Sequence, residues 1–219
     1  MRVTVLGTGT STGVPVPGCS CEVCRSNDPR DNRLRTSILV ETASAPDGAT
    51  VETEDRAYSK VILVDTGPDL RQQSLRAGIR RIDAVVYTHA HADHIFGLDD
   101  LRGFNFAAGA AIPLFAGEHT SRELKRIYSY AFHPDPRYQG GAPPRLTMKT
   151  LQPFKSFEIG GLEVTPLPLK HGSMDVFGFR FGNFAFLTDC SHIPEESKAA
   201  LEDLEVLIID GLRLREHPT

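Results

Sequence analysis

Long hydrophobic runs and an excess of positive charge are both missing from this sequence. No run approaches the roughly 20 apolar residues that a membrane-spanning helix needs, so no membrane partner is expected. The formal net charge of −4 gives no general attraction to polyanions, and RNA is therefore not an expected substrate. The first residues, "MRVTVLGTGT", lack the basic head and apolar stretch of a signal peptide. These absences predict a cytoplasmic protein.

Cysteine is scarce and unevenly placed. Three of the 4 cysteines, Cys19, Cys21 and Cys24, lie within six residues, and Cys190 stands far from them without an assigned role. This pattern does not resemble the disulfide framework of a small secreted domain, which favours a reducing compartment. Three thiolates so close in sequence can wrap a tetrahedral metal ion, and free thiols are the alternative interpretation.

The sequence contains short strand-like segments rich in Val, Ile and Leu, interspersed with amphipathic helices. With 219 residues and 40% hydrophobic content, it predicts one globular domain over residues 1–219. Pro68 opens a predicted helix that ends at Gly78, and Thr120 or Ser121 is the expected N-cap of a later helix. Asp47 and Gly48 predict a hairpin turn. Two strand-rich halves with helices predict two sheets covered by helices on their outer faces.

The segment "THAHADH" crowds three of the 8 histidines beside a carboxylate. In an extended strand end, His89 and His91 share one face and can meet one cation. Asp93 and His94 follow where the chain turns, and can aim at a second position beside the first. Imidazole and carboxylate ligands suit zinc, manganese or iron, and the lack of cysteine argues against a closed structural zinc site. The pattern predicts a two-metal catalytic centre, with capping or surface residues as the alternative.

Two more candidate ligands lie in the second half of the chain, each after an apolar strand-like run. They are His171 in "LPLKHGS" and Asp189 in "FLTDCSH". A carboxylate at Asp189 could bridge two cations about 3.5 to 4 Å apart, as in two-metal hydrolases. Taken singly, each is equally well explained as a solvated strand-end residue. Together with the histidine cluster, they complete a predicted site for two divalent ions, Zn or Mn.

These motifs, with "LVDTG" before them and "LTDC" after them, resemble the metallo-β-lactamase superfamily. The resemblance covers nearly the whole chain and implies an α+β fold, a four-layer αββα sandwich of two mixed β-sheets flanked by helices. It implies that His89, His91 and His171 bind the first metal, that Asp93 and His94 bind the second, and that Asp189 bridges them. Asp65 matches a strand-end aspartate that orients ligands in this superfamily, although a turn residue explains it nearly as well.

Within the superfamily, "GTGTSTGVPVPGCSCEVC" and "HIFGLDDLRGFN" resemble the branch of ribosyl 1,2-cyclic phosphate phosphodiesterases. That branch implies one structural zinc at Cys19, Cys21 and Cys24, with a C-terminal histidine as fourth ligand. The chain stops at "LREHPT", so it appears truncated before the last strand, helix and histidine ligands of the fold. His217 falls near where the branch has a proton-donating histidine, and a solvent-exposed tail residue is the alternative.

The predicted reaction is hydrolysis of a small cyclic phosphate diester of ribose or a nucleotide, in which a metal-bridging hydroxide attacks phosphorus. Asp93 and His217 are the expected catalytic side chains. Three alternatives stay open: a thioester, lactone or lactam hydrolase, a relative of the tRNA 3′-processing endonucleases, and a non-catalytic metal-binding module. A homodimer is also left open.

Two further segments have weaker signals. Thr8, Thr10, Ser11 and Thr12 alternate with glycines after the first strand and could bind phosphate oxygens, but a common glycine-rich turn is the preferred interpretation. Residues 122–149 interleave basic and aromatic side chains and could form a lid over a nucleotide. A core-packed amphipathic helix followed by a loop is preferred for them.

Overall fold

The computed structural model describes residues 1–43, 58–135, 137 and 141–212. The turn predicted at Asp47 and Gly48 and the candidate proton donor His217 lie outside these residues. The strands are β1 Arg2–Gly7, β2 Ser37–Ala43, β3 Tyr58–Val64, β4 Ala84–Tyr87, β5 Ile112–Gly117, β6 Leu146–Leu151, β7 Phe157–Ile159, β8 Leu162–His171, β9 Met174–Phe181, β10 Phe184–Leu187 and β11 Val206–Ile209. The helices are α1 Leu70–Arg76, α2 Ala92–Ile95, α3 Leu101–Ala108, α4 Glu118–Ile127, α5 Ser129–Phe132 and α6 Glu195–Ala199.

The strands form two mixed sheets. The first has the order β1-β2-β3-β4-β5-β6, antiparallel from β1 to β3 and parallel from β3 to β6. The second has the order β11-β10-β9-β8-β7, antiparallel except for the β10–β11 pair. Helices flank the sheets, so the predicted four-layer αββα sandwich is confirmed.

The two sheets pack face to face through alternating residues of their strands. Because successive side chains of a strand point to opposite faces, every second residue faces the other sheet. Branched aliphatic side chains of the first sheet meet aromatic side chains of the second, and both sets are at most 3% exposed: Ile38, Val40, Ile62, Val64 and Val86 against Phe179, Phe181, Phe184 and Phe186. Burying this apolar surface is the main force that holds the sheets together.

The outer face of the first sheet is covered by α1 to α5. Leu70, Leu101 and Leu124, one from each of three helices, are fully buried against Leu63 and Val85 of the sheet. On the second sheet, α6 and the residues that follow it pack over a smaller apolar cluster. The helical layer is therefore much thicker on the side of the first sheet.

Two predicted helix boundaries need comment. Helix α1 ends as expected, with Gly78 just beyond it at φ +65°, a conformation that glycine adopts without steric cost. The prediction of Thr120 or Ser121 as N-cap of α4 is wrong, because the helix begins at Glu118. Ser121 instead lies inside the helix and donates to the carbonyl of Ala116 at 3.1 Å.

Several strand ends meet at one edge of the sandwich. Strands β3 and β4 are parallel, so the residues after them, Asp65 and Thr88, lie side by side at that edge. Strands β8 and β10 are both antiparallel to β9, so they run in the same direction and bring His171 and Asp189 to one edge of the second sheet. The backbone N–H of Phe177 in β9 donates to the carbonyl of Thr88 at 3.0 Å and links the two sheets there.

Among the described residues, no helix combines the length and apolar character needed to cross a bilayer.

Candidate active site

His89 and His91 follow the central strand of the first sheet. The sequence predicts that they share the face of an extended strand end, but β4 stops at Tyr87, and both histidines lie in the connection to α2. They nevertheless converge, since Nε2 of His89 lies 3.0 Å from Nδ1 of His91. The two histidines therefore come together as predicted, but the turn after β4 brings them together and not the strand itself.

Asp93 and His94 lie on the single helical turn of α2, directly after the first pair of histidines. The loop after β3 holds this turn in place, because Thr66 donates its backbone N–H to the carbonyl of His94 at 2.7 Å. The approach is so close that a Cβ atom on Gly67 would lie 2.2 Å from the carbonyl oxygen of Asp93. Glycine is therefore required at position 67 to let the two loops touch.

His171 and Asp189 reach the same place from the second sheet. His171 is the last residue of β8, and its ring centroid lies 5.5 Å from that of His89. The loop after β10 carries Asp189 and is tied to the His171 turn by Ser191. The Ser191 hydroxyl accepts from the N–H of Gly172 at 2.8 Å and donates to the carbonyl of Lys170 at 3.1 Å.

The donor atoms form two groups that share one residue. His89, His91, His171 and Asp189 make one group, and Asp93, His94 and Asp189 make the other, with the donor atoms of each group within 4.8 Å of one another. Two ligands about 2.1 Å from a tetrahedral zinc ion lie roughly 3.4 Å apart. The observed separations are 3.0 Å for the first histidine pair and 3.2 Å from His94 Nε2 to Asp189 Oδ2. These spacings suit metal ions, so the residues could hold two.

Asp65 and Thr88 orient His94 and His89 through hydrogen bonds to the Nδ1 atoms of these histidines. Asp65 accepts from the N–H of Thr88 at 2.9 Å, from its hydroxyl at 2.8 Å, and from Nδ1 of His94 at 2.8 Å. The Thr88 hydroxyl has thus given its proton to Asp65 and can accept from Nδ1 of His89, 3.0 Å away. When each histidine is neutral, this network places its proton on Nδ1 and leaves Nε2 as the atom that can bind a metal ion.

The environment keeps two of the histidines neutral. Burial, followed by the nearby charge of His94, lowers the pKa of His89 to about 2. Burial, together with the neighbouring His171, also lowers the pKa of His91. Both imidazoles are therefore unprotonated at neutral pH, which is the form that binds a metal ion.

The remaining ionisable groups are held charged. Burial alone would raise the pKa of Asp189, but the hydrogen bond and charge of His94 outweigh it and set this pKa well below its usual range. The same balance lowers the pKa of Asp93. Burial alone would lower the pKa of His94, yet the charge of Asp65 raises it well above its usual value. Without a metal, His94 is therefore protonated on Nε2 as well as on Nδ1, and a metal ion that binds Nε2 would displace that Nε2 proton.

The donor groups open into a cavity of about 940 Å³. Its lining includes the candidate ligands His91, Asp93, His171 and Asp189 and also residues 8–11, which follow β1. Apolar side chains of β10 and β11, with Leu212 beyond them, complete the wall. The cavity is large enough to hold a small-molecule ligand over the donor atoms.

Cys19, Cys21 and Cys24 also come together, far more exposed than the histidine cluster. Their sulfur atoms lie within 4.8 Å of one another. Cys24 donates its backbone N–H to the sulfur of Cys21, which is the main reason that the pKa of Cys21 is lowered. The N–H of Val16 points at the sulfur of Cys24 at 3.4 Å. The contact from Val16 also lowers the pKa of Cys24, but burial and the neighbouring Cys19 and Cys21 outweigh it and raise this pKa. The three sulfurs could hold a second kind of metal ion, whose charge would stabilise them as thiolates.

The segment 122–149 packs away from the cavity. Its Tyr128 is buried and donates its hydroxyl to the carbonyl of Ile95 at 2.9 Å. None of the described residues of this segment lines the cavity, and Tyr138 lies outside the described part of the chain. For the described residues, the preferred interpretation of a core-packed helix is confirmed, and the lid is not supported.

Sequence reasoning missed several residues that shape this site. Thr88 stands directly before His89, and its place between a predicted strand and a histidine pair was an available signal. Ser191 has no such signal, because its contacts depend on two loops distant in sequence. Asp210 lines the cavity and accepts from the thiol of Cys190 at 3.1 Å, a contact that only the pairing of β10 with β11 creates.

Comparison with known proteins identifies the family. Residues 60–219 match the family described as "Beta-lactamase superfamily domain". The structure is similar to that of a diphosphatase from the PhnP family, with 42% sequence identity and a TM-score of 0.82 over 99% of this chain and 76% of that chain.

Two curated relatives are similar over less of their own length. A protein of Porphyromonas gingivalis named octanoyltransferase is 40% identical over 100% of this chain and 41% of its own length. A ribonuclease Z of Bradyrhizobium diazoefficiens is 30% identical over 57% of this chain and 41% of its own length. Since the match spans less than half of each relative, the activity named for the whole protein does not transfer to this chain.

The family match covers most of the chain, and the αββα architecture with its strand-end histidines and aspartates agrees with it. The chain therefore belongs to the metallo-β-lactamase superfamily of hydrolases and is related to its phosphodiesterase branches.

Proposed function

We propose that this chain is a two-metal phosphodiesterase that hydrolyses a small cyclic phosphate diester of ribose or a nucleotide. The observation that carries the proposal is the position of Asp189, which belongs to both donor groups. In this proposal Asp189 bridges two divalent ions, Zn or Mn. His89, His91 and His171 complete the first site, and Asp93 and His94 complete the second.

Two ions held there would supply Lewis acidity and an activated water for in-line attack on phosphorus. The side chains of this protein would hold the ligands of these ions in place. Asp65 and Thr88 hold the histidines of both groups in the required tautomer, which fixes the direction of each lone pair. Asp93 lines the cavity and would lie beside a phosphate bound there. His217 remains the predicted proton donor to the leaving oxygen, outside the described residues.

The choice of a phosphate ester over a carbonyl substrate rests on relatives and on the cavity. The solved relative at 42% identity is named a diphosphatase, and a ribonuclease is among the curated relatives. Both names concern bonds to phosphorus. This favours a phosphoryl substrate over a thioester, lactone or lactam. Because one curated relative is named octanoyltransferase, acyl substrates are included in the substrate panel described below.

A diphosphate is the second candidate substrate, since that name belongs to a protein that covers 99% of this chain. A diphosphate and a cyclic diester both present a phosphorus atom with a leaving oxygen, so the same residues would serve either reaction. The two candidates differ in what must be bound beyond the reacting phosphorus, because a diphosphate carries a second charged group.

The decisive experiment is a substrate panel with purified protein reconstituted with zinc or manganese. It contains bis(p-nitrophenyl) phosphate, a 2′,3′-cyclic nucleotide, a ribose 1,2-cyclic phosphate, a nucleoside diphosphate, a tRNA precursor, a thioester and a lactam. We expect cleavage of the cyclic diesters, lost in His91→Ala and kept in His119→Ala, an exposed histidine on α4. Absence of any phosphoester cleavage by protein that holds two ions would refute the proposal and favour a metal-binding module.

We further propose a structural zinc at Cys19, Cys21 and Cys24, supported by their mutual distances and by the N–H groups directed at two of the sulfurs. Its fourth ligand would come from outside the described residues. All four cysteines are free thiols, which fits the proposed reducing, cytoplasmic location. The homodimer is still only a prediction.

A further inference from the structure

The loop after β1 lines the same cavity as the donor atoms. Thr8, Gly9, Thr10 and Ser11 line the same cavity as Asp93, His171 and Asp189. From the sequence alone this loop is best interpreted as an ordinary glycine-rich turn. Its place in the lining of the candidate active site changes that interpretation, because a substrate bound in this cavity can contact both the loop and the donor atoms.

The loop offers hydrogen-bond donors that its own fold does not use. The hydroxyls of Thr8 and Ser11 make no hydrogen bond to another described residue, and neither do the backbone N–H groups of Thr10 and Ser11. A turn closed by the N–H of Gly13 and the carbonyl of Thr10, 2.9 Å apart, brings these donors close together. Several neutral donors at one place form a binding edge for anionic oxygens.

The loop is rigidly held. The N–H of Gly9 donates to the carbonyl of Leu34 at 2.7 Å, and the backbones of Val14 and Arg33 are bonded in both directions at 2.8 and 2.9 Å. The approach is close enough that a Cβ on Gly9 would lie 2.8 Å from the carbonyl oxygen of Arg33. A side chain at position 9 would therefore push the loop away from its support.

Arg35 connects the loop to the segment that carries the active site. Its Nε donates to the carbonyl of Ser11 at 2.7 Å, and its Nη1 pairs with Asp69 at 2.9 Å. Asp69 lies four residues after Asp65 and also accepts from the backbone N–H of Arg35 at 2.8 Å. The distance between the loop and the donor atoms is thereby held constant, which a substrate-binding edge requires.

The charges in the cavity indicate which part of a substrate the loop binds. The described lining contains three carboxylates, Asp93, Asp189 and Asp210, and a single cationic side chain, Arg33. Metal ions at the donor atoms would attract one face of a phosphate. The remaining oxygens would be free to accept from the N–H and O–H donors of the loop and from Arg33, whose backbone is bonded to Val14 just beyond the loop.

We propose that residues 8–11 are the phosphate-binding edge of the site, where the Thr8 and Ser11 hydroxyls and the N–H groups of Thr10 and Ser11 donate to the phosphoryl oxygens turned away from the metals. This inference rests on the proposed function for its substrate class. The ligand it commits to is the phosphate itself and not the sugar or base attached to it.

Binding of inorganic phosphate to the metal-loaded protein tests this directly by isothermal titration calorimetry. One hydrogen bond contributes about 1 kcal/mol, so Thr8→Val and Ser11→Ala should each weaken phosphate binding about 5-fold, and the double variant about 25-fold. Thr4→Val is the matched control, since Thr4 lies in β1 and does not line the cavity. Its binding should stay within 2-fold of the wild type. All four variants should have the same metal content as the wild type.

Steady-state kinetics on a cyclic diester adds a second readout, with a rise in KM in the loop variants that exceeds the fall in kcat. Loop variants that bind phosphate as tightly as the wild type would overturn the proposal. A loss confined to ligands that carry ribose would also overturn it, since the loop would then contact the sugar. If the loop variants keep both their turnover and the wild-type affinity for phosphate, the proposed role of the loop is refuted and the proposed function is not. Loop-dependent phosphate binding without any phosphoester turnover refutes the proposed function alone.

Discussion

The two clusters of candidate metal ligands in this protein are built in opposite ways. The histidine and aspartate cluster draws on segments up to 100 positions apart, from His89 to Asp189, and its His94 is fully buried. The cysteine cluster comes from six consecutive positions, and Cys19 and Cys21 are exposed. The first cluster exists because the sheets pack as they do, whereas the second needs only one local turn.

The difference predicts which cluster depends on the rest of the fold. Each buried histidine donates a hydrogen bond that orients it, His89 to the adjacent Thr88 and His94 to Asp65 on another loop, so its geometry is fixed before a metal arrives. The cysteines are oriented mainly by backbone N–H groups within the same short segment. The buried cluster is therefore suited to catalysis, whereas a metal ion at the exposed cluster would stabilise the local segment that carries the cysteines.

The largest effect is expected from the residue that joins both donor groups. Asp189→Ala should lose at least one metal ion per chain and lower phosphodiester cleavage at least about 100-fold, because both ions lose a ligand. Metal at the cysteine cluster should be unchanged. Metal analysis and turnover measure both effects, with the exposed Asp135→Asn as control. Full activity in Asp189→Ala would show that the two donor groups do not act together.

A smaller loss is expected from a residue that touches no substrate. Asp65→Asn removes the carboxylate that accepts from His94 and Thr88, and should weaken metal affinity at the buried cluster about 10- to 100-fold. Competition with a chelator measures this affinity. Glu41→Gln is the matched control, a buried carboxylate paired with Arg2 on β1. An unchanged affinity in Asp65→Asn would mean that Asp65 serves only the turn.

The exposed cluster should be separable from catalysis. Cys21→Ser is expected to remove one zinc ion per chain and lower the melting temperature, while turnover changes by less than about 2-fold. Cys190→Ser should keep the zinc at the cysteine cluster, since its sulfur contacts Asp210 instead. If Cys21→Ser abolished turnover with full metal at the buried cluster, the two regions would be coupled.

The mildest test is chemical labelling of the metal-free protein. Burial, and then the hydrogen bond to Asp210, raise the pKa of Cys190 to about 12, so its thiol stays protonated at pH 7.5. The pKa of the exposed Cys21 is lowered, so a larger share of it is thiolate, the reactive form. A short pulse of iodoacetamide followed by mass spectrometry should modify Cys21 at least about 10 times faster than Cys190. Equal rates would contradict the difference in environment.

Much of the fold was predictable because its signals are local. Short runs of Val, Ile and Leu predicted two strand-rich halves that form two sheets, and Gly78 marked the end of α1. The start of α4 was not predictable in this way. There, a Cβ on Gly117, the last residue of β5, would come within 2.8 Å of the Phe177 ring of the second sheet, a contact that the sequence does not reveal.

The candidate site, like the fold, has a part that the sequence predicts and a part that only the tertiary structure decides. By itself, the sequence determined which side chains are candidate ligands, since the spacing of His89, His91, Asp93 and His94 and of the three cysteines is a property of the chain. Only the tertiary structure decided that Asp189 belongs to both donor groups, that Thr88 orients His89, and that the loop at residues 8–11 lines the same cavity. The physical reason is that ligand spacing along a turn is set by covalent geometry, whereas contacts between loops depend on how two sheets pack.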